Sequence, residues 1–154
     1  MARLLDEQNL FNLTNELSKT YFQKPFKHTI KYNNRLRTTG GRYIPTLKTI
    51  EINPKYVLEM TQEHLIGIIK HELCHYHLHI EGKNFRDNDT DFITLINKIG
   101  APKYCQPLPS SMKRYIYMCK KCKLEYKRKR RVNVKKYKCG RCLEEITFIR
   151  IENE

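Results

Sequence analysis

Leu10, Leu13, Thr14, Leu17 and Tyr21 recur at intervals of three and four and stop short of Pro25. That is the repeat of a single helical face, so an amphipathic helix is expected over residues 5–21. The period then changes. His28 to Tyr32 and Thr46 to Ile52 alternate or concentrate β-branched residues, with Gly40-Gly41 as a turn between them and Pro45 and Pro54 as breaks. This predicts a small antiparallel sheet. From Thr61, a candidate N-cap with Glu63 in the first turn, Leu65, Ile68, Ile69, Glu72, Leu73, Tyr76 and Ile80 return to helical spacing until Gly82. A third helix follows from Phe92, Leu95, Ile96 and Ile99, opened by Asp87-Asn88-Asp89 and closed by Gly100 and Pro102. Residues 101–112, with three prolines and two serines, read as a linker, and the alternating segments Arg114 to Met118 and Ile146 to Ile151 read as strands. The expected class is α+β.

The chain has 154 residues, 40% hydrophobic and 30% charged, which suits one ordinary domain with room for a small second module. The expected division is 1–108 and 109–154. The first 30 residues carry Arg3, Asp6, Glu7 and Glu16 and no apolar core of a signal peptide. No apolar run approaches the roughly 20 residues that span a bilayer, the longest being Leu65 to Ile69. A cytoplasmic protein with no membrane partner is expected.

Of the net charge of +14, +12 falls within residues 113–138, where 13 basic side chains face one acid, Glu125. Four tyrosines (115, 117, 126 and 137) are interleaved with them, so an ordered polyanion-binding surface is expected rather than a solvated tail. The candidate nucleic-acid contacts are Lys120, Lys121, Lys123, Lys127, Arg128, Lys129, Arg130, Arg131, Lys135, Lys136 and Lys138, with weak sequence preference and a steep salt dependence. Arg128 to Arg131 also fit a plain loop.

The same segment contains Cys119-x-x-Cys122 and Cys139-x-x-Cys142, 16 residues apart. Each pair suits a tight turn that aims two sulfurs at one point, and two such turns complete a tetrahedron around a structural Zn²⁺. Thioredoxin-like redox pairs need a strand-helix context that is absent from this pattern. Cys74 falls on the predicted central helix as a small buried hydrophobe, and Cys105 is given no role.

Within the central helix stands His71-Glu72-Leu73-Cys74-His75. Histidines four apart share a helical face about 6 Å apart, so both imidazoles can reach one zinc ion, and Glu72 beside the first is placed to act as general base for water at that metal. His77 turns to the other side of the helix, and His79 lies about 12 Å along the axis from His71. A third ligand is therefore expected from Asp87, Asp89 or Asp91, one of which caps the next helix while another binds.

His71 to Tyr76, Gly82, an acidic helix start, Phe92, Gly100-Ala101-Pro102 and a four-cysteine ribbon together resemble the SprT-like proteins, bacterial relatives of the Spartan protease domain. The resemblance covers the chain from about the first helix to the last cysteine pair. It implies a zincin-like minimal metalloprotease domain, cytoplasmic location, one catalytic zinc and, for the Spartan branch, cleavage of proteins attached to DNA. The third ligand of that family is typically a His four or five residues before an aromatic. Here Phe92 is the aromatic, and Asp87 stands five before it. Either Asp87 replaces the His as ligand or the site is weakened.

Two functions follow. One is a zinc metalloprotease acting on protein or peptide substrates on or near DNA, with one catalytic and one structural zinc. The other is a catalytically weak or inactive zinc-binding, nucleic-acid-associated regulatory protein. The sequence sets no oligomeric state.

Overall fold

A computed structural model describes residues 4–153; Arg3, one of the charges in the N-terminal reading, lies outside them. The chain divides into two compact units, Met1–Leu108 and Pro109–Glu154.

In the first unit, helix α1 (Glu7–Phe22) begins where the Asp6 carboxylate accepts from Asn9 N and ends at Gln23, in the left-handed region. Of the predicted face Leu10 and Thr14 are buried and Leu13 and Leu17 partly so, whereas Tyr21 is exposed and Ser18 and Phe22 are buried beside them. Three strands follow, β1 (Thr29–Tyr32), β2 (Gly41–Ile44) and β3 (Thr49–Ile52), ordered β1-β3-β2. β2 pairs antiparallel with β3, but β1 pairs parallel, so the sheet is mixed rather than antiparallel. The predicted turn at Gly40-Gly41 is instead the entrance to β2. Gly41 is required there because a Cβ would meet Glu51 O and Ile68 Cγ2 at 2.9 Å. Pro45 to Leu47 form a short 3-10 turn, which leaves only Thr49–Ile52 of the predicted Thr46–Ile52 strand.

Pro54, expected as a break, is the first residue of a short helix α2 (Pro54–Glu59), where its missing N–H costs nothing. Asn53 caps that helix. Helix α3 (Gln62–Ile80) is the centre of the unit, with Leu65, Ile68, Ile69, Leu73, Cys74, Tyr76 and Leu78 buried. Thr61 occupies the N-cap position as predicted, but its hydroxyl bonds the His64 ring rather than a helix amide. Helix α4 (Thr90–Ile99) runs from Asp89 to Gly100, whose φ of 73° is the left-handed C-cap.

The second unit is a three-stranded antiparallel sheet: β4 (Lys113–Cys119), β5 (Glu125–Arg128) and β6 (Ile146–Asn153), ordered β5-β4-β6. Its hydrophobic cluster is Tyr117, Cys119, Cys139 and Ile146. No helix of the described residues is long and apolar enough to cross a membrane.

Candidate metal centres

Helix α3 places His71 and His75 one turn apart, as their spacing dictates, and the loop after it carries Asp87 to the same point. His71 Nδ1 lies 2.7 Å from the Pro102 carbonyl, and His75 Nδ1 bonds the Phe85 carbonyl. A carbonyl only accepts, so each ring donates from Nδ1, and in its neutral form it presents Nε2 as a free lone pair. The two Nε2 atoms are 3.3 Å apart, and Asp87 Oδ1 lies 3.4 and 3.1 Å from them. In that form three electron-pair donors converge, an arrangement that a cation relieves. A tetrahedral zinc ion with bonds of about 2.0–2.1 Å has ligand edges of about 3.3 Å, so the donor set fits Zn²⁺ and leaves one vertex open.

The surroundings hold this geometry. Phe92, fully buried on α4, stacks on His75 at 4.1 Å and 10° and meets His71 edge-on at 5.1 Å. Burial keeps His75 below the usual imidazole range, which favours the neutral ligand form. Glu72 is buried one residue from the first ligand. Burial, and then the Asp87 carboxylate, push its pKa up to about 8, and a divalent cation beside it acts in the opposite sense. A cavity of about 970 Å³ opens on these groups, walled on one side by β2 through Gly41, Arg42 and Tyr43.

Of the three candidate aspartates, Asp87 meets the histidines. Asp89 caps α4 by position and accepts from Arg86 N at 2.9 Å, and Asp91 accepts from Asn84 N at 3.3 Å. His77 and His79 lie off the centre, as their helical positions imply. His77 is buried against Ser18 Oγ at 2.6 Å, and His79 Nδ1 lies 2.7 Å from the Tyr43 hydroxyl. Ser18 and His77 are not a nucleophile and base, because the Ser18 hydroxyl donates to the Lys24 carbonyl and so accepts from His77. Cys74 is fully buried, and Cys105 packs beside Gly40 at the cavity. Pro102, Phe85 and Tyr43 were missed from sequence. Pro102 and Phe85 act through backbone carbonyls, which no side-chain motif encodes.

In the second unit the four cysteines also converge. Cys119 and Cys142 sulfurs are 3.2 Å apart, and Cys122 and Cys139 sulfurs 3.7 Å. Both separations exceed a disulfide's, and zinc–sulfur bonds of about 2.3 Å give an edge of about 3.8 Å. Each pair sits on the same turn: Cys122 N donates to Cys119 Sγ and Arg141 N to Cys139 Sγ, and the chain leaves through left-handed Lys123 and Leu143. The Tyr126 hydroxyl donates to Cys139 Sγ at 3.1 Å, which holds that thiol down to about 6.

The basic residues divide. Lys120 and Lys138 pair with Glu145 at 3.0 and 3.8 Å, and Lys127 with Glu152 at 3.8 Å. Arg128, Lys129, Arg130 and Arg131 line a cavity of about 520 Å³ with Tyr117, Tyr126 and Tyr137, and Lys138 lines it too. Arg128 lies over the Tyr126 ring and Arg131 over Tyr115. Lys136 lies over Tyr137. Lys121, Lys123 and Lys135 are not brought into this cavity.

Fold and donor sets together define an α+β, zincin-like domain followed in sequence by a β zinc ribbon. Residues 10–114 match the SprT-like family and residues 113–150 the SprT-like zinc ribbon domain. The chain belongs to the SprT-like family. It is 54% identical to the Protein SprT-like of Oceanobacillus iheyensis over 91% of this chain and 95% of that one. It is 48% identical to the Protein SprT-like of Bacillus subtilis over 94% and 99%. A crystal structure of the metallopeptidase zymogen abylysin from Pyrococcus abyssi is similar over 57% of this chain and 76% of that one, at 21% identity and a TM-score of 0.42. A likeness at that level leaves the reaction to be argued from the residues.

Proposed function

We propose that the protein is a zinc-dependent metalloprotease of the cytoplasm that acts on proteins on or near nucleic acid. The observation that carries this reading is the convergence of His71 Nε2, His75 Nε2 and Asp87 Oδ1 beside the buried Glu72 carboxyl, in a cavity open to a polypeptide. His71, His75 and Asp87 would hold the catalytic zinc, and Cys119, Cys122, Cys139 and Cys142 the structural one. Bound at the first centre, Zn²⁺ supplies a Lewis acid for a carbonyl and for water. Glu72 takes the proton of the attacking water and passes it to the leaving amine. The outer edge of β2 lines the cavity, and its unpaired backbone groups hold a substrate strand extended across the site. The Pro102 and Phe85 carbonyls keep the two imidazoles turned inward through turnover.

The cations and tyrosines of the ribbon cavity support the nucleic-acid half of the reading, because phosphates are met by Arg and Lys and bases stack on phenol rings. On this reading much of the choice of substrate comes from co-localisation.

The test is Glu72→Gln in a cleavage assay on DNA-bound protein. Loss of at least about 100-fold in rate is expected, with zinc content and DNA affinity kept, because the amide keeps the shape but takes no proton. Equal cleavage by variant and parent overturns the protease reading. A parent that holds both zinc ions and cleaves nothing supports the non-catalytic, nucleic-acid-associated protein instead.

A further inference from the structure

Residues 81–88 are exposed and polar, with one exception: Phe85 is half-buried and packs against the hydrophobic core. Its ring centre lies 4.8 Å from that of His79, the next helical turn after His75, and 6.5 Å edge-on from that of Tyr43. The Tyr43 hydroxyl and His79 Nδ1 are 2.7 Å apart, so strand β2 and helix α3 grip the ring from two elements tied to each other. The backbone of the same residue faces the metal centre, because the Phe85 carbonyl accepts the His75 Nδ1 proton. Two residues further on, the Asp87 carboxylate reaches both ligand nitrogens although it is 68% exposed.

Other ties reach this loop: Lys83 N donates to Leu78 O at the end of α3 at 2.8 Å, Asp89 accepts from Arg86 N and Asp91 accepts from Asn84 N. The two aspartate bonds are exposed and come from the α4 side. Lys83 seats only the start of the loop on α3 and the aspartates fix its shape, while the stretch that carries the Phe85 carbonyl and Asp87 meets α3 through the Phe85 ring.

We infer that Phe85, clamped by His79 and Tyr43, is the positioning residue of the first metal centre. It places its own carbonyl under His75 and brings Asp87 to the ion, without touching the ion itself. The inference rests on the reading of His71, His75 and Asp87 as zinc ligands. Loss of a partner that orients a ligand typically weakens metal affinity about 10–100-fold.

The experiment is zinc competition against a chromophoric chelator, with the full chain and its ribbon zinc counted separately. Phe85→Ala should bind zinc at the first centre about 10–100-fold more weakly than the parent while the ribbon keeps its ion. Phe85→Tyr, which keeps the ring, should stay close to the parent. His79→Ala should weaken binding in the same direction, and the double variant should lose little beyond Phe85→Ala, because both changes release one clamp. Parent-like affinity in Phe85→Ala overturns the inference, as do losses that multiply in the double variant. Should Phe85→Ala fail to fold, parent-like affinity in His79→Ala overturns it instead. His75→Ala is the control for the ligand reading. If that variant keeps its full zinc content, the ligand assignment falls and the inference with it; if it loses one ion while Phe85→Ala keeps both, the inference alone falls.

Discussion

Ser18 and His77 illustrate what single residues contribute away from the centre. The Ser18 hydroxyl donates to Lys24 O at 2.5 Å and accepts from His77 Nε2 at 2.6 Å, while both side chains are buried. Burial pushes the His77 ring down to about 4, so it stays neutral and its one N–H needs an acceptor. Ser18→Ala strands that donor and the Lys24 carbonyl together. A loss of about 1–3 kcal/mol is expected in urea unfolding, with zinc content unchanged. A variant as stable as the parent shows that water enters and replaces the hydroxyl. At this scale the sequence was legible wherever the chemistry was local. His71, Glu72 and His75 lie within one helical turn and a quarter, and Cys119-x-x-Cys122 within a single loop. From spacing alone Asp87 could be named only together with Asp89 and Asp91, because the choice among them depends on where the loop returns to α3; the family resemblance singled it out by its place five residues before Phe92. Phe85 carries a signal visible only afterwards, as the one aromatic in the polar run from Glu81 to Asp91.

Among the elements, helices α1, α3 and α4 were readable because a 3.6-residue period repeats several times in each. The sheet was readable as strands but not as pairings. β1 and β3 are separated in sequence by β2, and nothing in the alternation of Thr29–Tyr32 says that it pairs in parallel with Thr49–Ile52. Gly40 and Gly41 misled because glycine marks both turns and close approaches. Here the approach is that of β2 to α3. A Cβ on Gly41 would lie 2.9 Å from Ile68 Cγ2 and from the Glu51 carbonyl, which is backbone and cannot swing aside. Gly41→Val is therefore expected to destabilise the first unit by about 1–3 kcal/mol, read by thermal unfolding. It should also cost cleavage, because the same strand walls the cavity. Unchanged stability would mean that the strand has room to shift from the helix.

At the scale of the whole molecule the two units stand on different supports. Met1–Leu108 has a broad apolar core around α3, from Leu10 to Leu108. Pro109–Glu154 has a cluster of four buried residues, two of which are cysteines of the metal group. A sheet that small needs its ion, since half of its buried cluster is made of the metal group's own cysteines. Stripping zinc with a strong chelator should open the C-terminal unit to trypsin while the N-terminal unit survives; equal digestion of both would refute this division of labour. The charge follows the same division, and it supports a sharper expectation. Of the basic residues in 113–138, Lys120, Lys127 and Lys138 already face Glu145 or Glu152, whereas Arg128 to Arg131 surround tyrosine rings. Each phosphate contact contributes about −0.9 to the slope of log affinity against log salt on duplex DNA and about −0.7 on single strands. Replacing Arg128, Lys129, Arg130 and Arg131 by glutamine should therefore flatten that slope by about 3 to 4, with ribbon zinc retained. Lys120→Gln, which removes one charge and leaves Glu145 with Lys138, should change it by less than one contact's worth. If the two variants lower affinity equally per charge removed, the arginines have no privileged place, and the basic segment acts as diffuse charge rather than as a site.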